Sequence, residues 1–136
     1  MACSVAVLDR QRLGKQRLEC RQIISAIQNG GGWRNHPAVK MWRHHQRALM
    51  LYHDVCIREW VRRGYKNEML EFGLPLDTII MPPWLGDPAF HAAHRASLLA
   101  KDPHHYGQFG WAEEAMVAYR WPEMTSPEAY ELTDLR

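Results

Sequence analysis

The first half of this chain is short of acid. Residues 1–65 hold 12 Lys or Arg against only 4 carboxylates (Asp9, Glu19, Asp54 and Glu59), a balance of +8. Residues 66–136 hold 5 against 11, a balance of −6, so the formal net charge of +2 conceals an asymmetry. A basic half is the electrostatic footprint of a polyanion binder, although some of its cations can pair with the acidic half instead. Long apolar runs are missing as well. No stretch of about 18 such residues occurs, which excludes a membrane-spanning helix. Met-Ala-Cys-Ser followed by an early charged helix is not a signal peptide.

Cysteine is scarce. Cys3, Cys20 and Cys56 are odd in number and far apart, with no CxxC pair. That pattern fits reduced thiols in a cytoplasmic protein, and Cys20 and Cys56 read as core residues on helices. The eight histidines fall in no metal-binding spacing. His91 and His94 share a helix face and His44-His45 and His104-His105 are neighbours, but HExxH is absent, so no metal is expected. Glycines are not followed by Lys-Ser/Thr, and no GxSxG elbow occurs, which leaves neither a phosphate loop nor a serine hydrolase. Repeats and alternating strand patterns are missing too. What is present, 46% hydrophobic residues and six Trp in 136, describes a packed globule with one core.

The richest stretch is LDRQRLGKQRLECRQIISAI, from Leu8 to Ile27. Asp9 is a helix N-cap, and Leu13, Cys20, Ile23, Ile24 and Ile27 recur at helical spacing. Arg10, Arg12, Lys15, Arg17 and Arg21 crowd a single carboxylate, Glu19, which is expected to stay ionised among them. Such a helix suits an enzyme that grips a phosphate backbone and stabilises a positive charge. It equally describes a solvated amphipathic helix with Lys15–Glu19 as a surface pair.

Gln28-Asn29 and the triple glycine 30–32 end that helix, and Trp33, Arg34 and His36 follow in a loop able to lie along a nucleic-acid strand. A long central helix is expected from the cap Asn35 to Arg63, about 27 residues or roughly 40 Å, closed by Gly64. Its buried stripe is Val39, Trp42, Leu49, Tyr52, Cys56 and Trp60. Loop follows to Asp87, with a short helix over 67–72. A third helix then spans Ala89–Lys101, stopped by Pro103. Aromatics at Tyr106, Phe109, Trp111, Tyr119 and Trp121 fill an irregular C-terminal part, and an acidic tail covers roughly 123–136. The fold class is therefore all-α: a single compact domain of about three main helices. Removal of Met1 ahead of the small Ala2 exposes an α-amine, whose pKa of about 8 leaves a usable neutral fraction at pH 7.

Three blocks, AVLDRQRLGKQRLECRQI, RNHPAVKMW…HDVCIREWVRRGY and PPWLGDPAFHAAHRASLLAKDPHHYG, resemble the small phage and bacterial pyrimidine-dimer DNA glycosylases of the endonuclease V type. The resemblance covers roughly residues 5–111, and its first and last blocks are the specific ones. It implies a mainly helical monomer acting without metal or diffusible cofactor on double-stranded DNA that contains a damaged or modified pyrimidine, in the cytoplasm of a bacterial or phage-infected cell. It also implies base flipping, attack of the N-terminal amine on the sugar C1′, and strand cleavage by β-elimination from the imine. On this resemblance Ala2 supplies the amine and Glu19 the carboxylate. Arg12, Lys15, Arg17 and Arg21 match as a class the basic neighbours that hold phosphates, Arg95 resembles a further phosphate ligand and Tyr106 a DNA-facing aromatic; Arg34 and His36 of the glycine-rich loop and Lys101 among the aromatics are added as DNA contacts on their own chemistry. Members usually carry a longer extended segment before the first helix than the eight residues here. An extended arm of seven residues spans up to roughly 24 Å, against about 15 Å for ten helical residues, so it can still reach Glu19. The same scaffold acting on a hypermodified phage pyrimidine, or binding DNA without catalysis, are the alternatives.

Overall fold

The computed structural model describes residues 2–116. These contain six α-helices and a 3-10 turn at Leu76–Thr78, and no strand. The protein is all-α, as its patterning implies. Packing divides the described residues into two compact units, residues 2–81 and residues 82–116.

In the first unit, α1 (Ala2–Ala6) precedes α2 (Arg10–Asn29). The expected extended arm is thus helical over residues 2–6, which shortens its span to roughly 7 Å at the helical rise. Arg63 holds the end of this short helix by donating to the carbonyls of Ala6 at 3.0 Å and Val5 at 3.5 Å. Asp9 caps α2 as expected, accepting from the Arg12 N–H at 3.3 Å. At the other end Gly30 adopts φ 77, a left-handed conformation open to glycine, and its N–H closes on the Ala26 carbonyl.

The long central helix is broken. α3 (Pro37–Trp42) is capped by His36, not Asn35, and α4 (Gln46–Arg62) restarts after a turn at residues 43–45. In one continuous helix Val39 and Leu49 would sit roughly 80° apart around a single axis. The break re-aims α3, and both residues are buried in one core with Cys20, Ile23, Ile24 and Ala26 of α2. Neither Gly nor Pro marks the break, so the pattern of residues gave no notice of it.

No helix forms over residues 67–72. The backbone there finds side chains instead. Asn67 accepts from the Met69 N–H at 3.4 Å, and Asp54 accepts from the Phe72 and Gly73 N–H groups at 2.9 Å each. Asp54 is buried on α4 and also meets the Nδ1 of buried His53 at 3.0 Å. Asn and Asp side chains compete with helical bonding in this way.

The second unit holds α5 (Pro88–Lys101) and α6 (Pro103–Gly107). Asp87 caps α5 through the Ala89 N–H at 3.0 Å, with Pro88 in its first turn. Pro103 does more than stop α5. It opens α6, capped by Asp102 through the His105 N–H at 3.1 Å. The acidic tail and Tyr119 and Trp121 lie outside the described residues. Among those described, no helix is long and apolar enough to cross a membrane.

Candidate nucleic-acid interface and carboxylate site

The basic residues of α2 fall on two sides of its buried stripe. Arg17 and Arg21 stand two residues before and after Glu19, about 200° around the helix, so they do not surround it. They join Arg10 over a row of aromatics. Arg10 lies 4.9 Å from the Tyr65 ring, Arg17 4.4 Å from Trp60 and Arg21 5.5 Å from Phe72. Arg17 also donates to Asn67 at 2.7 Å, and Arg21 to the Leu70 carbonyl at 3.2 Å. Gly14 makes room for this ladder. A Cβ there would meet the Trp60 ring at 3.2 Å. Arg17 and Arg21, expected as phosphate ligands around the carboxylate, bind the loop after α4 to α2. Nothing in the sequence announced the aromatic partners, because they arrive from 43 to 55 positions further along the chain.

Arg12 and Lys15 remain on the side of Glu19. Arg12 is partly engaged by Asp9 at 3.2 Å. Glu19 is half-buried at the edge of the stripe, and its carboxylate takes part in no hydrogen bond or ion pair among the described residues. Other acids are committed. Glu59 pairs with Arg62 and Arg63, Glu71 with Arg58 and Glu113 with Arg95, while Asp54, Asp87 and Asp102 accept backbone N–H groups. Asp77 and Glu114 have no such partner, but both are exposed to water. The Glu19 carboxylate is not sealed from water, so solvent meets it where the other half-buried acids meet a protein partner, and a ligand can take that place.

Beside Glu19 the core thiol Cys20 is pushed up by its hydrogen bond to Cys56 and then by burial. Tyr52 is pushed up chiefly by burial, with Glu19 adding to the same effect. These groups stay protonated and are not nucleophiles at neutral pH.

Arg34 and His36 sit together in the exposed loop before α3, where His36 Nδ1 accepts from the Ala38 N–H at 3.1 Å. Within the second unit, Arg95 is paired with Glu113 at 2.6 and 2.8 Å rather than held open for phosphate. Tyr106 is a correction. It is 0% exposed and packs on Trp111 and His105, so it is a core residue and not a DNA-facing aromatic. Lys101 is exposed in the last turn of α5. Ala2 lies in α1. His91 accepts from the Gly86 N–H, and His94 meets the Phe90 ring edge-on. Among the described residues no three His, Cys, Asp or Glu converge as metal ligands would.

Fold and site together define an all-helical protein built on a basic helix that leaves one carboxylate uncommitted. A family model described as pyrimidine dimer DNA glycosylase matches residues 2–71, from the start of α1 to the loop below the arginine ladder. The chain belongs to the pyrimidine dimer DNA glycosylase family. The match ends before α5, so the resemblance of residues 72–111 stands on their motifs alone. Searches of curated proteins and of solved structures give no match.

Proposed function

We propose that this protein excises an altered pyrimidine, a pyrimidine dimer in the first instance, from double-stranded DNA through an imine formed by the α-amine of Ala2. The observation that carries the reading is the uncommitted, half-buried carboxylate of Glu19 on the basic helix of a chain of this family. In the reaction the amine nitrogen bonds to C1′ as the glycosidic bond breaks, and that electron pair leaves with the base. Loss of a proton from nitrogen and ring opening give the protonated imine. Removal of a C2′ proton then expels the 3′ phosphate and cleaves the strand.

The sugar is cationic at the first stage and the imine at the second, so a fixed carboxylate stabilises both electrostatically. A carboxylate already satisfied by an arginine would offer much less. Lys15 and Arg12, on the same side of the helix, supply phosphate affinity and hold down the proton affinity of a nearby amine. Flipping a nucleotide out of the stack is least costly where the lesion already weakens pairing.

Borohydride trapping with two duplexes, one bearing a thymine dimer and one an abasic site, tests this reading. Mass analysis identifies the modified residue. The expected result is a covalent adduct on both, located at Ala2. An adduct on the abasic duplex alone redirects the base specificity towards another modified pyrimidine. Absence of any adduct overturns the imine mechanism and leaves a DNA-binding protein without lyase chemistry.

A further inference from the structure

We propose that Trp33 is a stacking platform for a nucleobase of the bound DNA, with Arg34 and Lys40 holding phosphates beside it, a reading that rests on the DNA-directed function above. Trp33 stands out from the other described tryptophans. Trp84 is buried, and Trp42, Trp60 and Trp111 are packed against Tyr52, Tyr65 and Tyr106, whereas Trp33 is 49% exposed. Leaving an indole in water gives up the burial that makes tryptophan useful in a core, so its exposure asks for a partner.

The indole is held in a defined orientation. It stacks on the His36 ring with centroids 5.3 Å apart and planes within 18°. His36 is itself fixed as the cap of α3, where its Nδ1 accepts the Ala38 N–H. Turn hydrogen bonds from Arg34 N–H to Gly31 and from His36 N–H to Trp33, at 3.3 and 2.8 Å, set the backbone. Arg43 braces it from beyond α3 by donating to the Arg34 carbonyl at 2.6 Å. Gly30 and Gly31, at φ 77 and 103 with nothing around their Cβ positions, carry the loop clear of α2.

The surroundings select the occupant. No Asp or Glu occurs from Cys20 to His53. Arg34, between the stacked pair in the chain, and Lys40, one turn into α3 beyond His36, are both exposed. A protein partner would call for apolar surroundings, but the exposed residues that follow the indole in the chain are Arg34, Asn35 and His36, with Lys40 one turn further on. A nucleobase on the indole with phosphates on the flanking cations matches both the flat face and the charge. Stacking of this kind tolerates any base, since every base presents a π face.

The test uses a duplex carrying a stable abasic analogue, with 5-iodouracil placed in turn at each nearby position of both strands. Light couples that base to an aromatic ring stacked on it. The inference expects a crosslink mapped to Trp33 at one or two positions. It also expects affinity to fall about tenfold for Trp33→Ala and to be largely kept by Trp33→Phe. Absence of a Trp33 crosslink at every position, or unchanged affinity in Trp33→Ala, overturns it. Borohydride trapping of the unaltered protein separates this from the underlying reading. Failure to trap sinks the imine mechanism while crosslinking still reports on Trp33.

Discussion

Glu19 differs from the neighbouring acids in what it lacks. Asp54, buried on the facing helix, satisfies three donors and is structural. The two carboxylates therefore make opposite predictions. Glu19→Gln keeps the shape and removes the charge, so single-turnover excision should fall about a hundredfold or more. Affinity for an abasic-analogue duplex should hold or tighten, because a negative charge beside phosphates has gone. Equal loss of binding and turnover, with a lowered melting temperature, would make Glu19 a structural residue instead. Asp54→Ala strips the acceptor from two backbone donors and a buried histidine, and should destabilise the protein by about 2–4 kcal/mol in denaturant unfolding. The glutamate was legible in the sequence as a lone acid among cations. The aspartate was not, because its donors come from residues eighteen and nineteen positions later in a loop without periodicity.

At the scale of elements, the boundaries written in local chemistry were the readable ones. Asp9, Gly30, Asp87-Pro88 and Pro103 each mark a helix end that side-chain capping, a left-handed glycine or proline enforces, whereas the Asp102 cap of α6 was not read. The division of the central helix into α3 and α4 has no such marker and depends on burying Val39 and Leu49 together. The helix over residues 2–6 has no such marker either; burial of Val5 and the Arg63 bonds to the Val5 and Ala6 carbonyls hold it. That arginine is anchored by Glu59, whose carboxyl is held down at about 2 by its hydrogen bonds from Arg62 and then Arg63, against an opposing push from burial. A carboxylate whose folded pKa is depressed contributes stability that is fully present above its ordinary value of about 4.5 and fades as pH falls towards 2. The clamp on α1 should therefore loosen in that acid window while α2 persists, visible as loss of helical Cα shifts for residues 2–6 in NMR spectra. Glu59→Gln should produce the same loss at pH 7. Retention of those shifts in the variant would mean that α1 stands without the clamp. Gly14→Ala tests the other seam. Alanine gains about 1 kcal/mol of helix propensity. Trp60 has little freedom to retreat, held by Arg17, by Tyr65 and by its indole N–H on the Lys66 carbonyl at 2.8 Å. The contact should outweigh the propensity, and the variant should melt below the parent.

Across the whole molecule, the charge asymmetry could mean a polyanion surface or two halves that neutralise each other. The ion pairs distinguish these. Arg58–Glu71 is the one pair among the described residues that joins a cation of residues 1–65 to an acid beyond them. Arg10, Lys15, Arg17, Arg21, Arg34, Lys40, Arg43 and Arg47 face no carboxylate within ion-pair distance among the described residues. Composition identified the basic half. It could not sort cations spent on aromatics and carbonyls, such as Arg17 and Arg21, from those left for solvent, such as Lys15 and Lys40. Salt dependence sorts them. If about six phosphates are engaged, affinity for duplex DNA should fall roughly 10³-fold between about 50 and 200 mM salt. Lys15→Ala and Lys40→Ala should each reduce the slope of log affinity against log salt by about 1, since each releases one phosphate contact. Arg62→Ala should leave the slope unchanged, because that guanidinium is already neutralised by Glu59 at 2.6 Å. A slope that responds to Arg62 as strongly as to Lys15 would mean that DNA competes successfully for paired arginines, and that the unpaired set is not the interface.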